Sequence, residues 1–276
     1  MSQNQCPKCD YNRLWKIRRN KFKCKKCRCE FSNYKYPVKG IRATEKDWVK
    51  CIKIFLRQRT INNIVCEANI GYRSAQKMAN HLRLIMFHDP PNKFQGITEV
   101  DETYIGGQRK NKKLHIRRLT PPKRGHGTDK LPIIGLLNRD TGQVYVQVLS
   151  RRLKGSGSKI LKVMNVIKER TQRGSMIYTD TYQLYKHLEI YHECYHESIN
   201  HYQGQYTRGT IHTNNIEGFW GILKRKLGCI GGMRRSRLYL FVAEISWKFN
   251  HRKMPLLRQE KELLKLVKES NLVVKT

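Results

Sequence analysis

Three acidic residues carry the sharpest chemistry in this sequence. Asp101 lies in the strand-like run Ile97-Thr98-Glu99-Val100-Asp101-Glu102-Thr103-Tyr104-Ile105, which stops at Gly106-Gly107. Asp180 ends a second short run, Ser175 to Asp180. Glu217 falls on a helical stretch from about Thr213 to Leu227. At 100° per residue, Ile216, Phe219, Trp220, Leu223 and Leu227 share one face, while Asn214, Glu217, Gly221 and Lys224 share an adjoining one. Three carboxylates from three elements suit two hard divalent cations, Mg²⁺ or Mn²⁺, which favour oxygen ligands. Two such ions, roughly 3.5–4 Å apart, activate an attacking oxygen and stabilise a leaving one in phosphodiester displacement. Taken singly, each acid has a plainer reading: a solvated strand residue, a helix cap, or half of a surface pair with Lys224. Glu99 shares a strand face with Asp101 and Glu102 lies on the other, so either competes for the ligand role.

A second set of ligands sits near the N-terminus. Cys6-x-x-Cys9 is followed, fourteen residues later, by Cys24-x-x-Cys27. Each pair forms a knuckle that aims two thiolates at one ion, and two knuckles close a tetrahedral site, so one structural Zn²⁺ is expected. Redox thiols are the alternative, but they come as a single pair beside a βαβ unit. Cys29 is a fifth nearby thiol that could replace Cys27. Residues 1–40 read as a zinc ribbon, with 12 Lys and Arg against two acids.

The elements between these sites follow from periodicity. Thr44 with Asp47 marks a helix start, and Trp48, Ile52, Phe55 and Leu56 share its buried face. Thr60 opens a short second helix, Asn69-Ile70-Gly71 is a turn, and a third helix buries Ala75, Met78, Ala79, Leu82 and Ile85. Its opposite face carries Arg73, Gln76, Lys77, Asn80 and Arg83, side chains of the kind that read base edges in a major groove. Residues 41–90 therefore read as a helix-turn-helix, with a generic three-helix bundle as the plainer alternative. Over residues 95–252, strands at Ile97–Ile105, Leu131–Leu137 and Gln143–Leu149 precede a helix at Gly155–Arg170, the Asp180 strand, and then helices. That order predicts an α/β mixed sheet with flanking helices, not a bundle. Residues 253–276 form a charged, mildly amphipathic helical tail.

Charge sets the partner. The 276 residues hold 56 Lys and Arg against 21 Asp and Glu, a net +35, which suits a protein that neutralises nucleic acid. Nine basic residues fall between Arg109 and Lys130, Lys112 and Lys113 among them, in a stretch expected to lie on DNA or to stay disordered until DNA binds. Hydrophobic residues at 39% exclude a disordered basic tail. No apolar run approaches a membrane span and no secretory leader is seen, so the expected place is the nucleus in a eukaryote, otherwise cytoplasm or nucleoid.

The local strings then narrow the reading. Val100-Asp101-Glu102-Thr103-Tyr104-Ile105-Gly106-Gly107, Thr179-Asp180-x-x-x-x-Tyr185, and His212-Thr213-Asn214-Asn215-Ile216-Glu217-Gly218-Phe219-Trp220 with Leu223-Lys224-Arg225 resemble the Merlin superfamily of DDE transposases, related to bacterial insertion-sequence transposases. The resemblance spans roughly residues 1–250. It implies an RNase H-like fold for the catalytic domain, Asp101 and Asp180 as Mg²⁺ ligands, and either Asn214 or Glu217 as the third. We favour Glu217, because a carboxylate holds Mg²⁺ better than an amide. Lys224 would grip a DNA phosphate. His212 would orient water or phosphate, or serve structurally. The implied activity is cut-and-paste transposition: binding of double-stranded DNA at terminal inverted repeats, metal-dependent cleavage, and attack of the freed 3′-hydroxyl on target DNA. Synapsis of two ends implies a homodimer or larger. The rival reading is a catalytically silent, transposase-derived DNA-binding protein. An RNA-binding zinc-ribbon factor leaves the carboxylates without a role.

Overall fold

A computed structural model describes residues 5–17, 21–32, 38, 40–107, 113–119, 130–149, 156–180, 185, 188–199, 211–231 and 233–270. The chain forms two compact units, Met1–Ala79 with Glu260–Thr276, and Asn80–Gln259.

The first unit opens with a three-stranded antiparallel ribbon, β1 (Leu14–Ile17), β2 (Lys21–Cys24) and β3 (Glu30–Ser32), in that spatial order. Phe22 faces Phe31 across the β2–β3 pair, the rings stacked 6.3 Å apart. Helix α1 (Glu45–Leu56) begins where the sequence predicts. The Thr44 hydroxyl accepts from Asp47 N at 3.1 Å, and the Asp47 carboxylate accepts from Thr44 N at 2.7 Å. Helix α2 (Ile61–Ala68) repeats the device with Thr60 and Asn63, and ends at Asn69, whose φ of +54° turns the chain. Helix α3 (Tyr72–Phe87) follows, with Ala75, Met78 and Ala79 buried. At the other end of the chain, Leu263 and Val267 of α9 (Leu256–Glu269) are buried, and Lys268 pairs with Glu45 of α1 at 2.7 Å. From Glu260 onward, this helix belongs to the first unit.

The second unit is built on a mixed five-stranded sheet. Its strands are β4 (Ile97–Ile105), β5 (Leu131–Asn138), β6 (Val144–Val148), β7 (Met176–Asp180) and β8 (Tyr195–Ile199), in the order β6-β5-β4-β7-β8. β4 is antiparallel to β5 and parallel to β7, and β7 is parallel to β8. The fifth strand is absent from the sequence reading. Its polar string Tyr195-His196-Glu197-Ser198-Ile199 lies at the sheet edge, where only Ile199 is buried, so it lacks the apolar signature of an inner strand. α4 (Leu114–Leu119) is a short helix between β4 and β5, and α6 (Leu188–His192) a shorter one before β8.

Alternation along β4 assigns its side chains to two layers. Val100 faces a core with Ile134, Leu136 and Ile177, closed by Val163, Met164 and Ile167 of α5 (Ser156–Arg170). Glu99, Asp101 and Thr103 face the opposite layer. There Ile216, Phe219, Trp220 and Leu223 of α7 (Asn214–Gly228) and Leu238, Val242 and Ile245 of α8 (Leu238–Asn250) pack on Ile133 and Leu137. Gly135, the β5 partner of Asp101, lets α7 come this close. A Cβ there would sit 2.6 Å from Trp220 Cζ2 and 3.1 Å from Ile216 Cδ1. Both atoms belong to fully packed side chains that have nowhere to retreat. Gly135→Ala should therefore lower unfolding stability by about 1–3 kcal/mol, read from the shift in urea midpoint. A midpoint equal to wild type would show that α7 is not seated against this strand as described.

Candidate active site

Asp101, Asp180 and Glu217 come from β4, the end of β7 and the first turn of α7. Asp101 Oδ1 accepts from Glu102 N at 2.7 Å, and Oδ2 accepts from the Trp220 indole N–H at 2.9 Å. Burial pushes the Asp101 carboxyl up, the neighbouring charges of Asp180 and Glu217 push it further, and these two hydrogen bonds only partly oppose them. The net result is a rise to about 7. Asp101 thus feels the charge of both other acids, although the ligand oxygens of the three do not all lie within 4.8 Å of one another. Glu217 itself is exposed and accepts from the Thr213 hydroxyl at 3.2 Å. It lies on the α7 face that adjoins the buried stripe of Ile216, Phe219, Trp220 and Leu223. Asn214 and Lys224 are also exposed on α7.

Tyr185 joins the site from the other layer. It is 2% exposed, and burial together with Glu102, Asp180 and Asp101 pushes its phenol well above its ordinary value. Glu102 lies on the Tyr185 side of β4 and accepts from the Tyr104 hydroxyl at 3.1 Å. Behind Asp180, the Thr179 hydroxyl lies 2.8 Å from His196 Nε2 and donates to the Asp180 carbonyl at 2.7 Å.

Glu99, named in the sequence as a competitor for the ligand role, does something else. Its side chain is wholly buried. Oε1 accepts from Arg139 Nε at 2.7 Å and from Asn215 Nδ2 at 2.8 Å, and lies 3.4 Å from His212 Nδ1. Oε2 accepts from the backbone N–H groups of Asn215 and Ile216, each at 3.0 Å. Arg139 Nη2 also donates to the His212 carbonyl at 2.7 Å and lies 2.9 Å from His212 Nδ1, while its guanidinium rests 4.7 Å from the Tyr178 ring centre. His212 thus stands beside Glu99 and Arg139. The β4–β5 register makes the pairing possible: Arg139 lies two residues beyond Leu137, which faces Glu99, so the two are diagonal neighbours.

Among the described residues, Cys6, Cys9, Cys24 and Cys27 form the one set of three or more metal-capable side chains whose ligand atoms lie within 4.8 Å of one another. Cys6 Sγ lies 3.5 Å from Cys27 Sγ, and Cys9 Sγ lies 3.6 Å from Cys24 Sγ. A tetrahedron with Zn–S bonds of about 2.3 Å has edges of about 3.8 Å, so the four sulfurs fit Zn²⁺. The two knuckles match atom for atom. Asp10 and Arg28, with φ of +53° and +59°, donate to the carbonyls of Cys6 and Cys24. Lys8 N and Lys26 N donate to the Cys6 and Cys24 sulfurs at 3.5 and 3.4 Å. Burial pushes the Cys24 thiol up, but the N–H groups of Cys27 and Lys26, together with the Cys9 and Cys27 thiols, bring it down to about 7. Cys29 stands apart, its thiol turned to the Glu30 carbonyl.

On α3, Arg73, Gln76 and Lys77 are exposed, whereas Asn80 and Arg83 are half-buried. Arg83 pairs with Glu244 at 2.7 Å, donates to Asn80 Oδ1 at 3.1 Å and covers the Phe241 ring at 4.2 Å. Lys113 is exposed; Lys112 lies outside the described residues.

Residues 93–250 match the profile of the ISXO2-like transposase domain, more than half of the chain. The chain belongs to this family. Over 260 residues it is 24% identical to an uncharacterised protein in transposable element ISH50 of Halobacterium salinarum, covering 91% of this chain and 84% of that one. It is 30% identical over 89 residues to an uncharacterised transposase-like protein of Haemophilus influenzae, 32% of this chain and 71% of the relative. Among solved structures, it resembles a simian T-cell lymphotropic virus intasome in complex with PP2A regulatory subunit B56 gamma. There the identity is 13% and the TM-score 0.34, over 71% of this chain and 66% of that one. It also resembles the HTLV-2 integrase catalytic core domain in complex with magnesium, at 11% identity and TM-score 0.31, over 55% and 84%. Among the described residues no helix is long and apolar enough to cross a membrane.

Two outcomes are expected. The four sulfurs should hold about one Zn²⁺ per chain by elemental analysis. Replacing both Cys6 and Cys24 by Ser should remove it; zinc retained in that variant would refute the site. For Asp101, the fold raises the carboxyl from 3.8 to about 7. Between those values the native state keeps a proton that the unfolded chain has released, so stability falls as pH rises through this window and stays lower above it. In denaturant titrations without divalent metal, wild type should lose about 1 kcal/mol or more from pH 4 to 7 relative to Asp101→Asn. Parallel curves for the two proteins would contradict this.

Proposed function

We propose that this chain is a DDE transposase with an RNase H-like catalytic domain. In this reading it binds the terminal inverted repeats of its element, cleaves the DNA, and joins the 3′ end to target DNA. One observation carries the catalytic part: Asp101 is raised to about 7 by burial and by the charges of Asp180 and Glu217. Burial and the like charges around this half-buried carboxyl make its ionised form costly, and divalent cations bound there would offset that cost. The donor set fits such ions. Each Asp101 oxygen accepts one hydrogen bond, which leaves it a lone pair for a metal. Two Mg²⁺ or Mn²⁺ ions held by Asp101, Asp180 and Glu217 would activate the attacking oxygen and neutralise the leaving one. The chain's own part is orientation. Trp220 and Glu102 fix the Asp101 carboxylate, and Thr213 holds Glu217 at the start of α7. Glu217 is preferred to Asn214 as third ligand because a carboxylate holds Mg²⁺ better than an amide. Lys224, exposed and two turns further along the helix, is placed to meet a phosphate.

The strand order β6-β5-β4-β7-β8, with two antiparallel steps and two parallel ones, agrees with the RNase H-like expectation. Membership in the ISXO2-like transposase family supports the activity. The Merlin resemblance rests on the strings around Asp101, Asp180 and Glu217. DNA recognition falls to the zinc ribbon and the exposed α3 residues Arg73, Gln76 and Lys77, with Lys112 and Lys113 gripping backbone. Asn80 and Arg83 serve the interior of the second unit. Two ends must be held together, so the working form is a dimer or larger.

The deciding experiment is strand cleavage on DNA carrying the element's own ends, with Mg²⁺ or Mn²⁺. Asp180→Asn and Glu217→Gln should each lower the rate by about a hundredfold or more while end binding persists. Wild-type rates in both variants would remove the active-site assignment, and cleavage-dead wild type that binds ends would favour the silent binder. A Glu217→Gln enzyme that still cuts, beside a dead Asn214→Ala, would transfer the third ligand to Asn214.

A further inference from the structure

Helix α7 carries a proposed ligand in its first turn, yet it has no local N-cap. Thr213 occupies the cap position with φ −118° and ψ 18°, and its side chain makes no capping bond. Its hydroxyl turns to Glu217 instead. The first N–H groups of a helix need acceptors, and a buried helix end without them is costly. Here the acceptor comes from another element. Glu99, on β4, takes the N–H groups of Asn215 and Ile216 on one oxygen and the Asn215 amide on the other. Arg139 balances its charge at 2.7 Å.

We propose that Glu99 is a positioning residue of the carboxylate site, fixing Glu217 relative to Asp101 by capping α7 from the strand that carries Asp101. The inference rests on the proposed function for what that geometry achieves. Glu99 and Asp101 are two residues apart and share one face of β4, so cap and ligand ride on the same rigid strand. α7 is tied to this strand twice: at its first turn through Glu99, and through the Trp220 N–H on Asp101. The first tie sets where the helix starts and the second sets its rotation. Glu217 lies between Ile216 and Trp220, so neither its height nor its direction can change without breaking one of them. Helix-dipole attraction adds to the first tie, because the carboxylate meets the positive end of α7. Arg139 orients Glu99 and anchors the His212 carbonyl just ahead of the helix, which fixes the chain's approach to it.

The test uses the full-length protein and two variants. Glu99→Gln keeps the shape but turns an NH₂ group toward donors; Asn215→Ala removes one contact at an exposed position and is the milder change. First, hydrogen exchange is measured without divalent metal. Peptides covering 213–219 should exchange about five- to tenfold faster in Glu99→Gln, with α8 unchanged. Second, Mn²⁺ binding is measured by electron paramagnetic resonance. Affinity should fall about 10–100-fold in Glu99→Gln and about threefold to tenfold in Asn215→Ala, with circular dichroism like wild type. Should Glu99→Gln fail to fold, Asn215→Ala carries both measurements alone. Unchanged exchange across 213–219 overturns the proposal, as does faster exchange with wild-type Mn²⁺ affinity, since Glu99 would then be a cap and nothing more. Failure of the functional reading looks different: Asp180→Asn would bind Mn²⁺ as wild type does, and wild type would not cut end DNA.

Discussion

The second unit turns on a buried ion pair that also caps a helix. Glu99 and Arg139 come from β4 and the turn after β5, and the remaining acceptor capacity of Glu99 is filled by the first N–H groups of α7. A buried carboxylate with one missing partner is costly, because the loss leaves a charge without compensation. This carboxylate has a full set, drawn from β4, the β5–β6 turn and α7. Sheet and helix therefore cannot shift separately without exposing it. The rest of the site inherits that constraint. Asp101 shares the strand, Glu217 shares the helix, and Asp180 ends the parallel strand paired to the same stretch, with Glu99 opposite Tyr178. Arg139 stacks on that Tyr178, so the brace reaches the third strand as well.

Close packing completes what the ion pair begins. Trp220 lies over Gly135, where any side chain would collide with it, and from there its indole N–H reaches Asp101. A large apolar residue thus supplies a polar contact to a half-buried acid, and only because the facing strand carries no Cβ at that position. The gain is orientation; the cost is that Asp101 loses water on the side Trp220 covers. Desolvation is the leading cause of its raised pKa, ahead of Asp180 and Glu217. The packing that positions the carboxylate also makes its charge expensive. Such tension between stability and a working site is common where charged groups must be held dry.

Much of this was legible in the sequence, and the gaps have physical reasons. The inner strands β4, β5 and β7 announce themselves by apolar runs, and α7 by its two-faced periodicity. Asp101, Asp180 and Glu217 could therefore be placed on their elements. β8 could not, because an edge strand with polar alternation resembles a loop. Glu99 was seen only as a rival to Asp101. Its true partners, Arg139 and Asn215, lie 40 and 116 positions away, and no local pattern joins them. Helical phase alone puts Arg83 on one stripe with Arg73, Gln76 and Lys77, and those three are exposed. Further along α3 the same stripe meets Glu244 of α8, a contact that periodicity cannot contain.

The net charge of +35 does not relieve the acidic centre, and the reason is range. Exposed lysines and arginines act through water and salt, where fields fade over about 8 Å at physiological ionic strength. Asp101 feels burial and two carboxylates at short range, and these win by enough to raise it to about 7 in a strongly basic chain. The two charge populations are therefore separate in what they can do. In the proposed function the positive surface would draw a polyanion from a distance, independently of sequence. A DNA phosphate arriving at Asp101 would add its negative charge to those of Asp180 and Glu217. Under the proposed function, divalent cations entering among the carboxylates would let a polyanion and this acidic centre meet.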